Sequence, residues 1–129
     1  MRAALFYGGT DIRVEEVPTP APGPGEVLVR VGAAGICGSD LHLYRGDNPW
    51  GRILAGSMPS RSGHELAGTV TALGAGVTGL RVGGRVGVEP MHLVGCGGCP
   101  LCARGDYHLC PTRGQRGGRR VASGGFGEY

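Results

Sequence analysis

Four of the five cysteines fall in one short stretch, as Cys96, Cys99, Cys102 and Cys110 with the spacing C-x2-C-x2-C-x7-C. Thiolates this close, separated by tight-turn residues such as Gly97-Gly98, Pro100 and Gly105, suit a closed tetrahedral cage of the kind that holds structural zinc. Three other uses of the same residues compete. Disulfides need an oxidising compartment, and nothing in the sequence points to one. An iron–sulfur cluster is suggested by the run ending in Cys110-Pro111, but the last gap is seven residues where the bacterial ferredoxin pattern has three, and a second cysteine set is missing. Unliganded thiols would lack a core to pack into, because the loop is hydrophilic and rich in glycine.

A second group is spread more widely. Cys37 sits in Gly35-Ile-Cys37-Gly-Ser39-Asp40-Leu-His42, and His64 and Glu65 follow Gly63. A thiolate, an imidazole and a neighbouring carboxylate among small residues could hold zinc with a coordination position left for water or substrate, the catalytic arrangement. Asp40 could accept the other ring N–H of His64 and fix its tautomer. Spacing alone leaves the bland readings standing: a lone cysteine is commonly a small buried hydrophobe, and Gly-His-Glu commonly a surface turn.

The elements that must position these groups read as β-strands. Arg2–Tyr7 is a first strand, turned at Gly8-Gly9 into a half-exposed strand over Ile12–Val17 with Ile12 and Val14 on one face. Pro18-Thr-Pro-Ala-Pro-Gly-Pro-Gly25 is a stiff extended connector. Glu26–Gly32 is the cleanest strand, with Val27, Val29 and Val31 sharing a face. Ser39 or Asp40 is expected to cap a short helix that Gly46 stops. Arg45–Arg61 reads as loop, Leu66–Leu73 as a strand turned at Gly74-Ala-Gly76, and Arg85–Val88 as another strand.

The chain has 129 residues, 28 of them glycine, so one domain of modest core is expected, and a metal staple would help it. Clear apolar strands argue against disorder; the composition fits a turn-rich, helix-poor β domain. The formal charge of +3 is no strong field for nucleic acid. The N-terminus lacks a long apolar segment, and no apolar run is long enough to span a membrane. Cysteines arranged for metal fit a reducing cytoplasm. A strand–glycine-turn–helix unit for a dinucleotide is missing.

The order Gly-Ile-Cys-Gly-Ser-Asp-x-His, Gly-His-Glu-x-x-Gly-x-Val, the four-cysteine lobe and Gly-Gly-Phe-x-Glu-Tyr resembles the zinc-dependent medium-chain dehydrogenases, which include the alcohol, polyol and threonine dehydrogenases. The resemblance runs from near residue 1 to residue 129 and implies a mainly β fold, a GroES-like β-barrel with a zinc-binding cysteine lobe at about 95–111 and few short helices. It implies that Cys37 and His64 are catalytic zinc ligands and that Glu65 sits against the metal or its water. Ser39 would take the substrate proton, His42 would relay it, and Asp40 would hold the zinc histidine. Cys96, Cys99, Cys102 and Cys110 would hold structural zinc. NAD(P) would accept the hydride of a small alcohol or polyol, and full-length relatives are oligomeric.

Relatives also carry a dinucleotide-binding domain and a further zinc ligand downstream, so this chain is expected to be the catalytic-domain fragment, inactive alone. Other departures are Gly83-Gly84-Arg85-Val86 for Gly-Asp-Arg-Val, Ser60-Arg61-Ser62 in place of apolar residues before Gly-His-Glu, and Gly127 for alanine. The competing function is a zinc-stapled binding or scaffold module. Its candidate RNA contact is Arg113-Gly-Gln-Arg-Gly-Gly-Arg-Arg120, which also reads as a solvated loop.

Overall fold

The structure, a computed structural model, describes residues 1–47, 59–88, 95–112 and 124–129. It divides into two compact units, Met1–Val88 with Gly124–Tyr129, and Glu89–Ser123.

The first unit is built of antiparallel strands. Strand β1 (Arg2–Gly8) turns into β2 (Asp11–Glu16), and β4 (Ser60–Arg61) lies on the other side of β1, giving the sheet order β2-β1-β4. Strand β3 (Val27–Gly35) pairs with β5 (Glu65–Leu73), and β5 with β6 (Arg85–Val88), giving β3-β5-β6. Apolar residues of β1 and β5 make the centre: Ala3, Leu5, Phe6 and Val70 are buried. Val27, Val29 and Val31 are half-buried together, as their alternation predicts.

Ile12 and Val14 are more exposed than the expected half-buried face. The reason is position: β2 is an outer strand, paired among the described residues only with β1. Strand β3 runs three residues beyond the expected Gly32, because its pairing with β5 continues to Gly35 opposite Glu65.

The expected barrel takes the form of two three-stranded sheets that strand pairing does not close among the described residues. Residues 124–129 link them. The Ala4 N–H donates to Phe126 O at 2.9 Å and the Glu128 N–H to Arg2 O at 3.0 Å, while the Val31 N–H donates to Glu128 O at 2.9 Å. The segment therefore bonds to β1 on one side and β3 on the other.

Helix α1 (Gly38–Arg45) follows β3. Its N-cap is Cys37, not Ser39 or Asp40: Cys37 is still extended, with φ −83° and ψ 158°. Asp40 lies inside the first turn, and its carboxylate reaches back to the Cys37 N–H at 2.9 Å, satisfying a donor that the helix leaves free. Gly46 ends the helix as expected, in the left-handed conformation at φ 67°.

In the second unit the described residues form a small loop with helix α2 (Pro100–Ala103) and a 3-10 turn, Tyr107–Leu109. Pro100 starts α2, where its missing N–H costs nothing. The Arg113–Arg120 tract lies outside the described residues, as do residues 48–58 of the expected loop.

Candidate functional site

The cysteine loop gathers its four sulfurs, all within 4.8 Å of one another. A tetrahedron with metal–sulfur bonds of about 2.3 Å has edges of about 3.8 Å. Cys96 Sγ to Cys102 Sγ and Cys99 Sγ to Cys110 Sγ are each 3.9 Å. These pairs are far beyond a disulfide bond, and all five cysteines are free. The donor set and its size fit a single zinc ion.

Backbone donors prepare the sulfurs for negative charge. Gly98 N–H and Cys99 N–H point to Cys96 Sγ at 3.4 and 3.2 Å, and Cys96 N–H points to Cys110 Sγ at 3.3 Å. The Gly98 N–H leads in holding the Cys96 thiol below its ordinary value. The Thr112 hydroxyl, 3.5 Å from Cys110 Sγ, is the main cause that brings Cys110 down to about 6. Desolvation drives Cys102 the other way, up to about 11.

The second group is assembled by strand pairing. Cys37 follows the end of β3 and caps α1, while Glu65 opens β5 with His64 just before it. Because Gly35 stands directly opposite Glu65 in the β3–β5 ladder, the two segments meet at one end of the sheet. Cys37, His64 and Glu65 each offer a ligand atom, and the three lie within 4.8 Å of one another. Gly35 leaves room for the carboxylate, since a Cβ there would stand 2.6 Å from Glu65 Oε2. A thiolate, an imidazole and a carboxylate at this spacing fit zinc with a position left for an exogenous oxygen.

The histidine ring is oriented from both sides. Its Nδ1 faces Asp40 Oδ1 at 3.7 Å, and its Nε2 lies 3.3 Å from Ser39 Oγ. Ser39, Asp40, Cys37, His64 and Glu65 are thus brought together. His42 lies outside this cluster and is exposed, and its Nδ1 meets Asp47 Oδ1 at 2.7 Å.

Three contributors were missed by sequence reasoning. Asp47 orients His42, and its only signal was a carboxylate just past the helix stop. Thr112 supports Cys110, with no signal beyond its place after Cys110-Pro111. Ser62 donates to Asp40 Oδ1 at 3.1 Å. Its signal was the polar run Ser60-Arg61-Ser62, which read only as a departure. The same run forms β4 and part of the approach to His64, so it does not disturb the local strand.

Comparison with known proteins gives the family and the fold. Residues 23–129 match the alcohol dehydrogenase GroES-like domain. L-threonine 3-dehydrogenase of Pyrococcus abyssi is 50% identical over 110 residues, covering 85% of this chain and 30% of that protein. Sorbitol and alcohol dehydrogenases are also among the matching relatives. The RspB alcohol dehydrogenase of Escherichia coli CFT073, solved with NADH, superposes with a TM-score of 0.67 at 41% identity, over 87% of this chain and 30% of that one. A cobalt- and zinc-bound thermostable alcohol dehydrogenase from Pyrobaculum aerophilum has a TM-score of 0.70 at 37% identity, over 88% of this chain and 33% of that one. The chain spans about a third of the length of these relatives.

Proposed function

The chain belongs to the alcohol dehydrogenase GroES-like domain family, and from that premise we propose that residues 1–129 form the metal-binding catalytic part of an NAD(P)-dependent alcohol, polyol or threonine-type dehydrogenase. The observation that carries the reading is the meeting of Cys37, His64 and Glu65 with the Ser39 hydroxyl beside them. On this reading Cys37 Sγ, His64 Nε2 and the Glu65 carboxylate hold the catalytic zinc. The four cysteines of the lobe, at about 95–111, hold a structural one.

Zinc, when bound, supplies Lewis acidity to a substrate oxygen, and NAD(P) supplies the hydride acceptor. The chain's own residues handle the proton. Ser39 Oγ, next to the metal-facing ring nitrogen, accepts the substrate's hydroxyl proton and passes its own onward. His42 lies three residues along α1, one helical turn away, and relays the proton towards solvent. Asp47 on its Nδ1 leaves Nε2 as the nitrogen that gives and takes. Asp40 keeps His64 turned with Nε2 towards the metal.

The Ser39-Asp40 pair after Cys37-Gly38 favours polyol- or threonine-type substrates over simple alcohols. The resemblance further supports a cytoplasmic, oligomeric enzyme with no nucleic-acid partner. No helix among the described residues is long and apolar enough to cross a membrane.

Zinc per chain, measured by elemental mass spectrometry, tests the proposal. Wild type is expected to hold about two, with Cys37→Ser and Cys96→Ser each losing one. A wild type with one zinc, lost only in Cys96→Ser, would refute the catalytic centre. Iron in place of zinc would refute the account of the lobe.

A further inference from the structure

Asp40 is 5% exposed and, among the described residues, is served by three groups. Its Oδ2 accepts the Cys37 N–H at 2.9 Å, and its Oδ1 accepts the Ser62 hydroxyl at 3.1 Å. His64 Nδ1 stands 3.7 Å from the same Oδ1, too far for a good hydrogen bond of its own. We propose that Ser62 is a positioning residue of the catalytic metal centre, its hydroxyl fixing the Asp40 carboxylate so that His64 presents Nε2 to the metal. This rests on the reading of Cys37, His64 and Glu65 as metal ligands.

Ser62 acts by limiting the rotation of the Asp40 carboxylate. A carboxylate anchored through one oxygen can still turn about its Cβ–Cγ bond. A second hydrogen bond on the other oxygen fixes its plane, and here Ser62 supplies it. The contact to His64 is the long one and depends most on that plane. Without the hydroxyl, Oδ1 would keep only His64 among the described residues, and a buried lone pair would lose its donor.

The main chain supports this use of the side chain. Ser62 and His64 flank Gly63, whose φ of 90° bends the segment so that both face Asp40. The Ser62 carbonyl is bound separately, by the Phe126 N–H at 3.2 Å. Ser62 itself is 9% exposed, so water does not readily replace its hydroxyl. The Cys37 N–H on the other oxygen means that one carboxylate ties together the segments carrying two ligands. Ser62 thereby acts on the metal through Asp40, touching neither metal nor substrate.

Cobalt(II) tests it. The lobe is first filled with zinc, and cobalt is then titrated while the single-thiolate charge-transfer band is read. Ser62→Ala is expected to weaken cobalt about ten-fold, at the lower end of what outer partners of metal ligands contribute, and to shift the ligand-field bands. Ser62→Thr, which keeps the hydroxyl, is expected to restore wild-type affinity and spectrum. Wild-type affinity and bands in Ser62→Ala would overturn the proposal. So would equal weakening in both variants, since the hydroxyl would then not be the cause. Loss of zinc from the lobe along with the cobalt would mean general unfolding and overturn it too. A wild type that binds no cobalt at Cys37 would instead remove the metal-centre reading on which the proposal stands.

Discussion

Replacing Gly63 with alanine tests how closely the C-terminal segment packs against the turn before His64. Gly63 has φ 90°, and a Cβ there would lie 2.6 Å from Phe126 N and 3.0 Å from Gly125 C. Positive φ alone costs an L-residue about 1–2 kcal/mol. Relief of the clash needs residues 124–126 to move away. That stretches three hydrogen bonds, from Gly124 N–H and Gly125 N–H to Gly63 O at 3.2 and 3.0 Å and from Phe126 N–H to Ser62 O at 3.2 Å. At about 0.5–1.5 kcal/mol each they add roughly 1.5–4.5 kcal/mol. The lower entropy of the unfolded alanine chain returns about 0.5–1 kcal/mol. The net expectation is a loss of about 4 kcal/mol. Gly83 is the control: its φ is 83°, but a Cβ there meets nothing within 4 Å. Gly83→Ala should cost only about 1 kcal/mol. Both variants are compared by urea unfolding, followed by circular dichroism, in a Cys37→Ser background that removes a ligand of the proposed metal centre. Equal losses in the two variants would refute the packing argument.

Two predictions concern pH. In the metal-free lobe Cys110, at about 6, is already a thiolate at neutral pH, whereas Cys102, at about 11, keeps its proton. Zinc must displace any such proton, so its affinity should rise with pH. Below pH 6 the slope should steepen by about one logarithmic unit per pH unit, as Cys110 also protonates. Competition with a chromophoric chelator reads this, and Thr112→Val should move the break to higher pH; an unmoved break would refute the role of the hydroxyl. Glu128 is held below its ordinary carboxyl value chiefly by the Arg2 N–H and then by the Arg2 guanidinium, each at 2.9 Å. A depressed carboxyl stabilises above its unfolded pKa and loses that effect as pH falls through the folded one. Glu128→Gln should therefore be less stable than wild type at pH 7, with the gap closing below about pH 4. A gap that persists in acid would place the effect in packing instead.

The four-cysteine lobe was legible because its geometry is local. Cys96, Cys99, Cys102 and Cys110 are separated by turns of two to seven residues, and Pro100 starts the short helix between them. The strands were legible from alternation, and the helix stop from Gly46, because both signals act over a few residues. Alternation does not say how a sheet ends. The link between the sheets through residues 124–129, and the exposure of β2, follow from which strands find partners.

The group of Cys37, His64 and Glu65 is the opposite case. Cys37 and His64 are far apart in sequence, and only the β3–β5 register, with Gly35 opposite Glu65, brings them together. A register shifted by one residue would turn every side chain of the pair to the other face. The sequence by itself determined which residues could bind metal and that the lobe could close on one ion, since short loops restrict their own geometry. Tertiary structure decided that Cys37 caps α1, that Asp40 faces both Cys37 and His64, and that Ser62 completes the carboxylate's partners. Each of those contacts joins segments more than twenty residues apart or depends on a helix boundary, and no local pattern encodes such distances.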